Sequence, residues 1–192
     1  MTKIFISTIC AIALSTSILS ANEVNETKII KKEAKTAIML MGKTLKMNMK
    51  KSMKRDGVVG AAKFCAEKAN ILESNLNGRY PKGTSVRRIT LNPRNPKNTA
   101  MDDDKIILEE FATMLEEGKS LPKMKLVKIE EGHYKVYKPM TMGKACIKCH
   151  GDVSQINKEA YAIIKEHYPN DKAVGYKVGD FRGAFVAEII KK

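Results

Sequence analysis

The chain has 192 residues, 35 of them Lys or Arg against 21 Asp or Glu, for a formal net charge of +14. That length suits one domain around a single core, and the charge favours anionic partners such as an acidic protein, a membrane surface or a polyanion. Nucleic acid is not expected among them, because aromatic residues are only 6%, no binding motif is present and the N-terminus reads as an export signal.

Lys3 opens a short basic region, Ile4 to Leu19 is apolar with Ser and Thr, and Ser20-Ala21 places small residues before Asn22-Glu23. This is the pattern of a secretory signal peptide over residues 1–21, cleaved on export to the periplasm. The apolar run is shorter than the ~20 residues of a membrane span; an uncleaved anchor is the alternative. Cys10 lies inside the run and is lost with it. Cleavage leaves 171 residues and a charge of +13, since the segment holds one Lys and no acid.

Residues 22–56 then read as an N-terminal helical segment. Ile30, Ala34, Ala37, Met41, Leu45, Met49 and Met53 recur at three- and four-residue steps and make one apolar stripe among lysines. The stripe packs against the rest of the domain or against a partner helix, which would make a homodimer. Asp56-Gly57 breaks the helix. A second helix is expected from Val58 to Leu76, with Cys65 on its apolar face beside Ala61, Ala62, Ala69 and Leu72.

Asn77-Gly78 and Pro81-Lys82-Gly83 are turns, and Ser85 to Leu91 alternates as a strand. Two prolines stiffen the loop Asn92 to Asn98. Asn98 or Thr99 could cap the next helix, which runs to Glu117 with Ile106, Ile107, Phe111 and Leu115 inward, and Gly118 ends it. Residues 124–130 and 133–138 read as a hairpin turning at Glu131-Gly132, with Pro139 as the stop. A helix over Ser154 to Tyr168, a glycine-bounded loop and a last strand, Phe181 to Ile190, complete the chain. The sum is an α+β fold, a small antiparallel sheet with helices packed on it.

Between the hairpin and the last helix lies Cys146-Ile147-Lys148-Cys149-His150, the C-x-x-C-H signature of c-type haem attachment. Cysteines three positions apart reach both vinyl groups of one porphyrin and form two thioethers, and the adjacent histidine supplies the proximal imidazole. Gly151 suits a backbone held close to a macrocycle. A zinc site would need a second C-x-x-C or a paired His motif. A thioredoxin-like pair would need no histidine and a βαβ setting. Of the four cysteines, Cys65 alone is left unassigned. It is either a small buried hydrophobe or a sixth iron ligand; the Met residues of the first helix, His133 and His167 are rivals for that position.

Several patches now add up: Phe64-Cys65-Ala66-Glu67-Lys68-Ala69, Arg88 to Asn98, Lys138-Pro139-Met140, Cys146 to Gly151, Tyr168 to Tyr176 and Gly179 to Ala184. Together they resemble the family of exported c-type haem domains with a PAS-like fold, found alone or as the sensing part of bacterial histidine kinases. The resemblance covers residues 57–190, so the expected organisation is a signal peptide, an N-terminal helix and one haem domain over 57–192. It implies iron ligation by His150 and Cys65. A thiolate lowers the reduction potential relative to His/Met ligation; on reduction the Fe–S bond weakens, and loss of the thiol opens a position for CO or NO. The expected function is a redox- or gas-responsive sensor that signals to a separate partner protein; a periplasmic electron carrier is the alternative, and no enzymatic constellation is legible. Arg88 and Arg94 are candidates to pair with haem propionates, with bracing of the loop backbone the alternative for each. Tyr137 is favoured over Tyr134 to face the cofactor.

Overall fold

The computed structural model describes residues 21–191; the signal segment expected over 1–21 lies outside that range except for Ala21. Helix α1 (Ala21–Lys63) carries the apolar stripe, and Ile30, Ala34, Ala37, Ile38, Met41 and Leu45 are buried along it. The break at Asp56-Gly57 is a kink: Asp56 leaves helical geometry and Gly57 takes φ +63°, a conformation open to a residue without a Cβ. The second helix, expected to be continuous, is instead interrupted by one π-helical turn, Phe64–Lys68, before α2 (Ala69–Asn77). A π turn holds one extra residue, which hydrophobic spacing does not reveal.

Four strands form one antiparallel sheet: β1 (Thr84–Ile89), β2 (Lys125–Glu130), β3 (His133–Thr141) and β4 (Phe181–Ile190), in the order β1-β4-β3-β2. The last strand is therefore central. Alternation along the strands sends Val86, Tyr134, Val136, Ala187 and Ile189 to one face, where they pack on α1 and α2. Ile89, Tyr137, Ala184 and Val186 point to the other face, against Leu108 and Phe111 of α3 (Asp102–Glu116). The fold is α+β, with helices on both faces of the sheet. The exposed edge of β1 is closed by Asn77, whose side chain donates to the Val86 carbonyl (2.9 Å) and accepts from the Val86 amide (2.7 Å).

Three local expectations are corrected. Pro139 does not stop β3, which runs on to Thr141. The register explains why: β2 pairs with β3 only as far as Tyr137, so Pro139 lies on a segment bonded to β4 alone and its missing N–H costs no ladder bond on the open side. Neither Asn98 nor Thr99 caps α3; Met101 precedes it, and no side chain caps that end. Ile106 is exposed, and Leu108 takes the inward position. The inward row of α3 begins with an acid, Asp104, and continues with Leu108 and Phe111.

Asp104 is 4% exposed. Its carboxylate meets Arg87, accepts from the Tyr137 hydroxyl (2.7 Å) and lies 3.3 Å from Lys135 Nζ. Burial pushes this carboxyl up, but the hydrogen bonds from Arg87 and Tyr137 and the charges of Arg87 and Lys135 outweigh it and hold it below the ordinary range. Burial, then the Asp104 carboxylate, pushes the Tyr137 phenol up. A carboxyl held low in the fold adds stability above its unfolded value of about 3.9 and loses it as pH falls. Asp104→Asn is expected to cost about 2–3 kcal/mol at neutral pH. The difference from wild type shrinks as pH is lowered toward about 3, as urea unfolding at each pH would measure.

Candidate cofactor site

The chain leaves β3 under tight control. The Met142 amide donates to the Asp180 carbonyl (2.9 Å) and the Gly179 amide to the Met142 carbonyl (2.8 Å), so the segment ahead of Cys146 is pinned to the start of β4. Cys146 to His150 then make a single helical turn, α4 (Ile147–His150), closed by His150 N–H to Cys146 carbonyl at 3.0 Å. Helical spacing places Cys146, Cys149 and His150 on one side. A Cβ on Gly151 would come within 2.5 Å of the Ile147 side chain and 2.7 Å of its carbonyl, so this position has room for glycine alone.

His150 is held by its own ring. Nδ1 lies 2.7 Å from the Ala173 carbonyl. A carbonyl only accepts, so Nδ1 carries the hydrogen and Nε2 keeps its lone pair. Burial and the charges of Arg94 and Arg182 push the imidazolium form well down, which keeps the ring neutral with its lone pair free at Nε2. The loop supplying that carbonyl is fastened to the motif by Tyr176 N–H to His150 carbonyl (2.9 Å) and Gly175 N–H to Gly151 carbonyl (2.8 Å).

Arg94 organises these pieces. It is 9% exposed and donates from Nε to Asp171 (3.0 Å), and from Nη2 to the carbonyls of Cys149 (2.6 Å) and Ala173 (3.2 Å). Asp171 returns a bond by accepting from the Ala173 amide (2.8 Å). The 92–98 loop, the motif and the 171–176 loop thus meet on one guanidinium, as backbone bracing rather than as a free cation.

The opposite wall comes from the π-helical turn. Cys65 is half-buried there; its backbone neighbour Ala66 accepts from the Tyr168 hydroxyl (3.2 Å). Burial pushes the Cys65 thiol up, against the pull of Arg88 and Arg94. Burial also raises Cys149, with Cys65 the next cause. That influence means Cys65 lies near Cys149. Behind it, the end of α1 packs on α5 (Lys158–His167) through Ala62, Ala160 and Ile164, with Cys149 against them.

Arg88 is near Cys65 but committed: Nε and Nη2 donate to the two carboxylate oxygens of Glu73 at 2.7 and 2.9 Å. The cation that sequence reasoning missed is Arg182. Its Nη1 donates to Thr90 Oγ1 (2.6 Å) and the Asn92 carbonyl (3.3 Å), and it lies 5.6 Å from the Tyr176 ring centre. Among the described residues it has no carboxylate within ion-pair distance. Burial and the charges of Arg94 and Arg88 lower its affinity for its own proton, so this corner favours a carboxylate.

Tyr137 is not brought to this group; it points to the α3 face of the sheet, opposite Cys65. His133 is at the far end of β3, 2.8 Å from Glu188, and His167 is exposed at the end of α5 with Nδ1 3.0 Å from the Ile163 carbonyl. Met41 is sealed in the core between α1 and the sheet.

The donor set fits the group the motif implies: two thiols on one helical turn, one neutral imidazole with a fixed free nitrogen, a third thiol nearby and, among the described residues, a cation without a carboxylate partner at the edge. Among the described residues, no three His, Cys, Asp or Glu side chains gather to hold a bare metal ion. A family model described as Tll0287-like matches residues 18–189, and the chain belongs to that family. Among solved structures, the crystal structure of the cyanobacterial heme-protein Tll0287 matches with a TM-score of 0.62 at 19% identity, over 91% of this chain and 98% of that one, a likeness of fold. No curated protein matches.

Removing the bracing guanidinium should loosen the imidazole before it unfolds the domain. Arg94→Ala is expected to cost about 3 kcal/mol, and hydrogen exchange should rise at the Gly175 and Tyr176 amides while β1–β4 pairing stays protected. Arg94→Lys should recover only part of it, because one ammonium cannot reproduce the guanidinium fork.

Proposed function

We propose that this member of the Tll0287-like family is an exported c-type haem protein. One haem is attached through Cys146 and Cys149 and ligated by His150 and Cys65, and the domain works as a redox- or gas-responsive sensor on a PAS-like frame. The observation that carries the reading is the His150 imidazole, oriented by the Ala173 carbonyl with Nε2 free and held neutral by burial and the nearby arginine charges, beside the two cysteines of its own turn and near Cys65. A ligating histidine oriented through its second nitrogen is the usual arrangement at metal centres. The similar heme-protein Tll0287 and the four-stranded antiparallel sheet support the same reading.

When bound, haem supplies one-electron redox chemistry and an iron that can take a diatomic ligand. The chain's residues set the conditions. Cys146 and Cys149 would anchor the group, and His150 and Cys65 would be the ligands to its iron. Burial favours the neutral Cys65 thiol, so as an iron ligand it would be a group with a proton to lose on binding and to regain on release. That makes Cys65 a ligand suited to leaving, as a sensor for CO or NO requires. Arg182 is the residue placed to meet a propionate, with Arg88 and Arg94 bracing the walls. A separate signalling protein would receive the signal. The lysine-rich surface favours the second reading, a periplasmic electron carrier docking on an acidic partner.

Cys65→Ala should convert the ferric haem from low spin to high spin in absorption and EPR spectra; an unchanged low-spin signal would remove Cys65 from the iron. Cys146→Ala with Cys149→Ala should abolish the haem that stays with the chain on a denaturing gel. Potentiometry separates the two roles, since a potential well below that of His/Met haems fits the sensor and one well above zero fits the carrier.

A further inference from the structure

The outer face of α1 has a composition that neither the core nor the cofactor site explains. Between Lys35 and Arg55 eleven residues are exposed: seven are basic, three are apolar, one is Thr36, and none is acidic. Among the described residues, Arg55 alone of the seven cations has a carboxylate within ion-pair distance, its neighbour Asp56. The exposed apolar residues are ordered. Two of the three, Leu40 and Met47, 46% and 65% exposed, line up with Ile29, 52% exposed and just ahead of that stretch, at spacings of seven and eleven residues, so they fall along one line of the helix with the lysines around them, and Met39 lies beside that line. From Ile29 to Met47 the line is about 27 Å long at the helical rise of about 1.5 Å per residue.

We propose that this face lies on an anionic phospholipid bilayer, with the lysines at the phosphates and Ile29, Leu40 and Met47 dipped into the boundary between headgroups and acyl chains. No helix among the described residues is long and apolar enough to cross a membrane, so the contact is parallel to the surface. The chemistry disfavours the other anionic partners. α1 has no aromatic residue and a single arginine, whereas nucleic-acid recognition draws on stacking and arginine forks and protein interfaces on aromatic and arginine anchors. A second copy of this chain would set lysines against lysines. The apolar stripe of the same helix is already spent on the sheet, so the exposed strip is a separate surface.

The test is partition of the purified chain onto vesicles of phosphatidylglycerol mixed equally with phosphatidylcholine, against phosphatidylcholine alone, by flotation. Expected is at least about tenfold stronger partition onto the anionic vesicles, lost progressively as salt is raised. Lys43→Glu with Lys50→Glu and Lys54→Glu should lower it more than about tenfold. Leu40→Ser with Met47→Ser should lower it several-fold at unchanged charge. All five positions are exposed, and circular dichroism matching wild type verifies the fold of each variant. Equal partition onto the two vesicle types, or binding indifferent to the charge reversals, would overturn the proposal. So would tighter binding to duplex DNA or to an acidic protein at matched salt, or a dimer that the same reversals abolish.

Discussion

The buried pair of Arg94 and Asp171 fixes the geometry of the site. It joins residues seventy-seven positions apart, and the same guanidinium takes the carbonyls of Cys149 and Ala173. Buried ion pairs are poor sources of net stability, since desolvation offsets most of the attraction. Their use is geometric: a charge inside a protein must keep all its partners, so three irregular segments cannot drift independently. The imidazole of His150 inherits that fixity through Ala173. A loop that hydrophobic packing alone would leave adjustable becomes a rigid support for one ring nitrogen.

Periodicity carried the regular parts of the fold into view. The stripe of α1, the break at Asp56-Gly57 and the turn at Glu131-Gly132 are each a repeat of 3.6 or 2 interrupted by a turn residue, and the structure has all of them. What periodicity could not carry were features set by partners distant in sequence. Pro139 continues a strand because its neighbour happens to end at Tyr137. Ile106 looked inward because the first inward residue of α3 is an aspartate, Asp104, whose burial depends on Arg87, Lys135 and Tyr137 from two strands. At the site, Cys146, Cys149 and His150 were legible as local spacing. The division of labour among Arg88, Arg94 and Arg182 was not, since it rests on Glu73 and Asp171 answering two of the three.

Charge is distributed in two distinct ways. Inside, three guanidiniums gather near His150 and are matched by two carboxylates, which leaves the pocket cationic at one corner. Outside, the excess lies along α1, in water, where a lysine costs little to keep. The first arrangement acts through desolvation and short distances, and salt has little effect on it. The second acts through a diffuse field that salt weakens. One basic chain can therefore serve a small acidic ligand and an extended anionic surface without the two competing.

The placement of β4 has a bearing on how such a chain is assembled. The strand made last lies between β1 and β3, so for a polypeptide threaded out N-terminus first the sheet has no centre until synthesis is finished. β1 must wait about a hundred residues for the partner that its register requires, a long closure that slows folding. During that wait Cys146 to His150, which precede β4, are already out and still unconfined. The window between emergence and closure is the interval in which both thiols of the motif, one of them half-buried in the finished fold and the other at its surface, are equally open to modification.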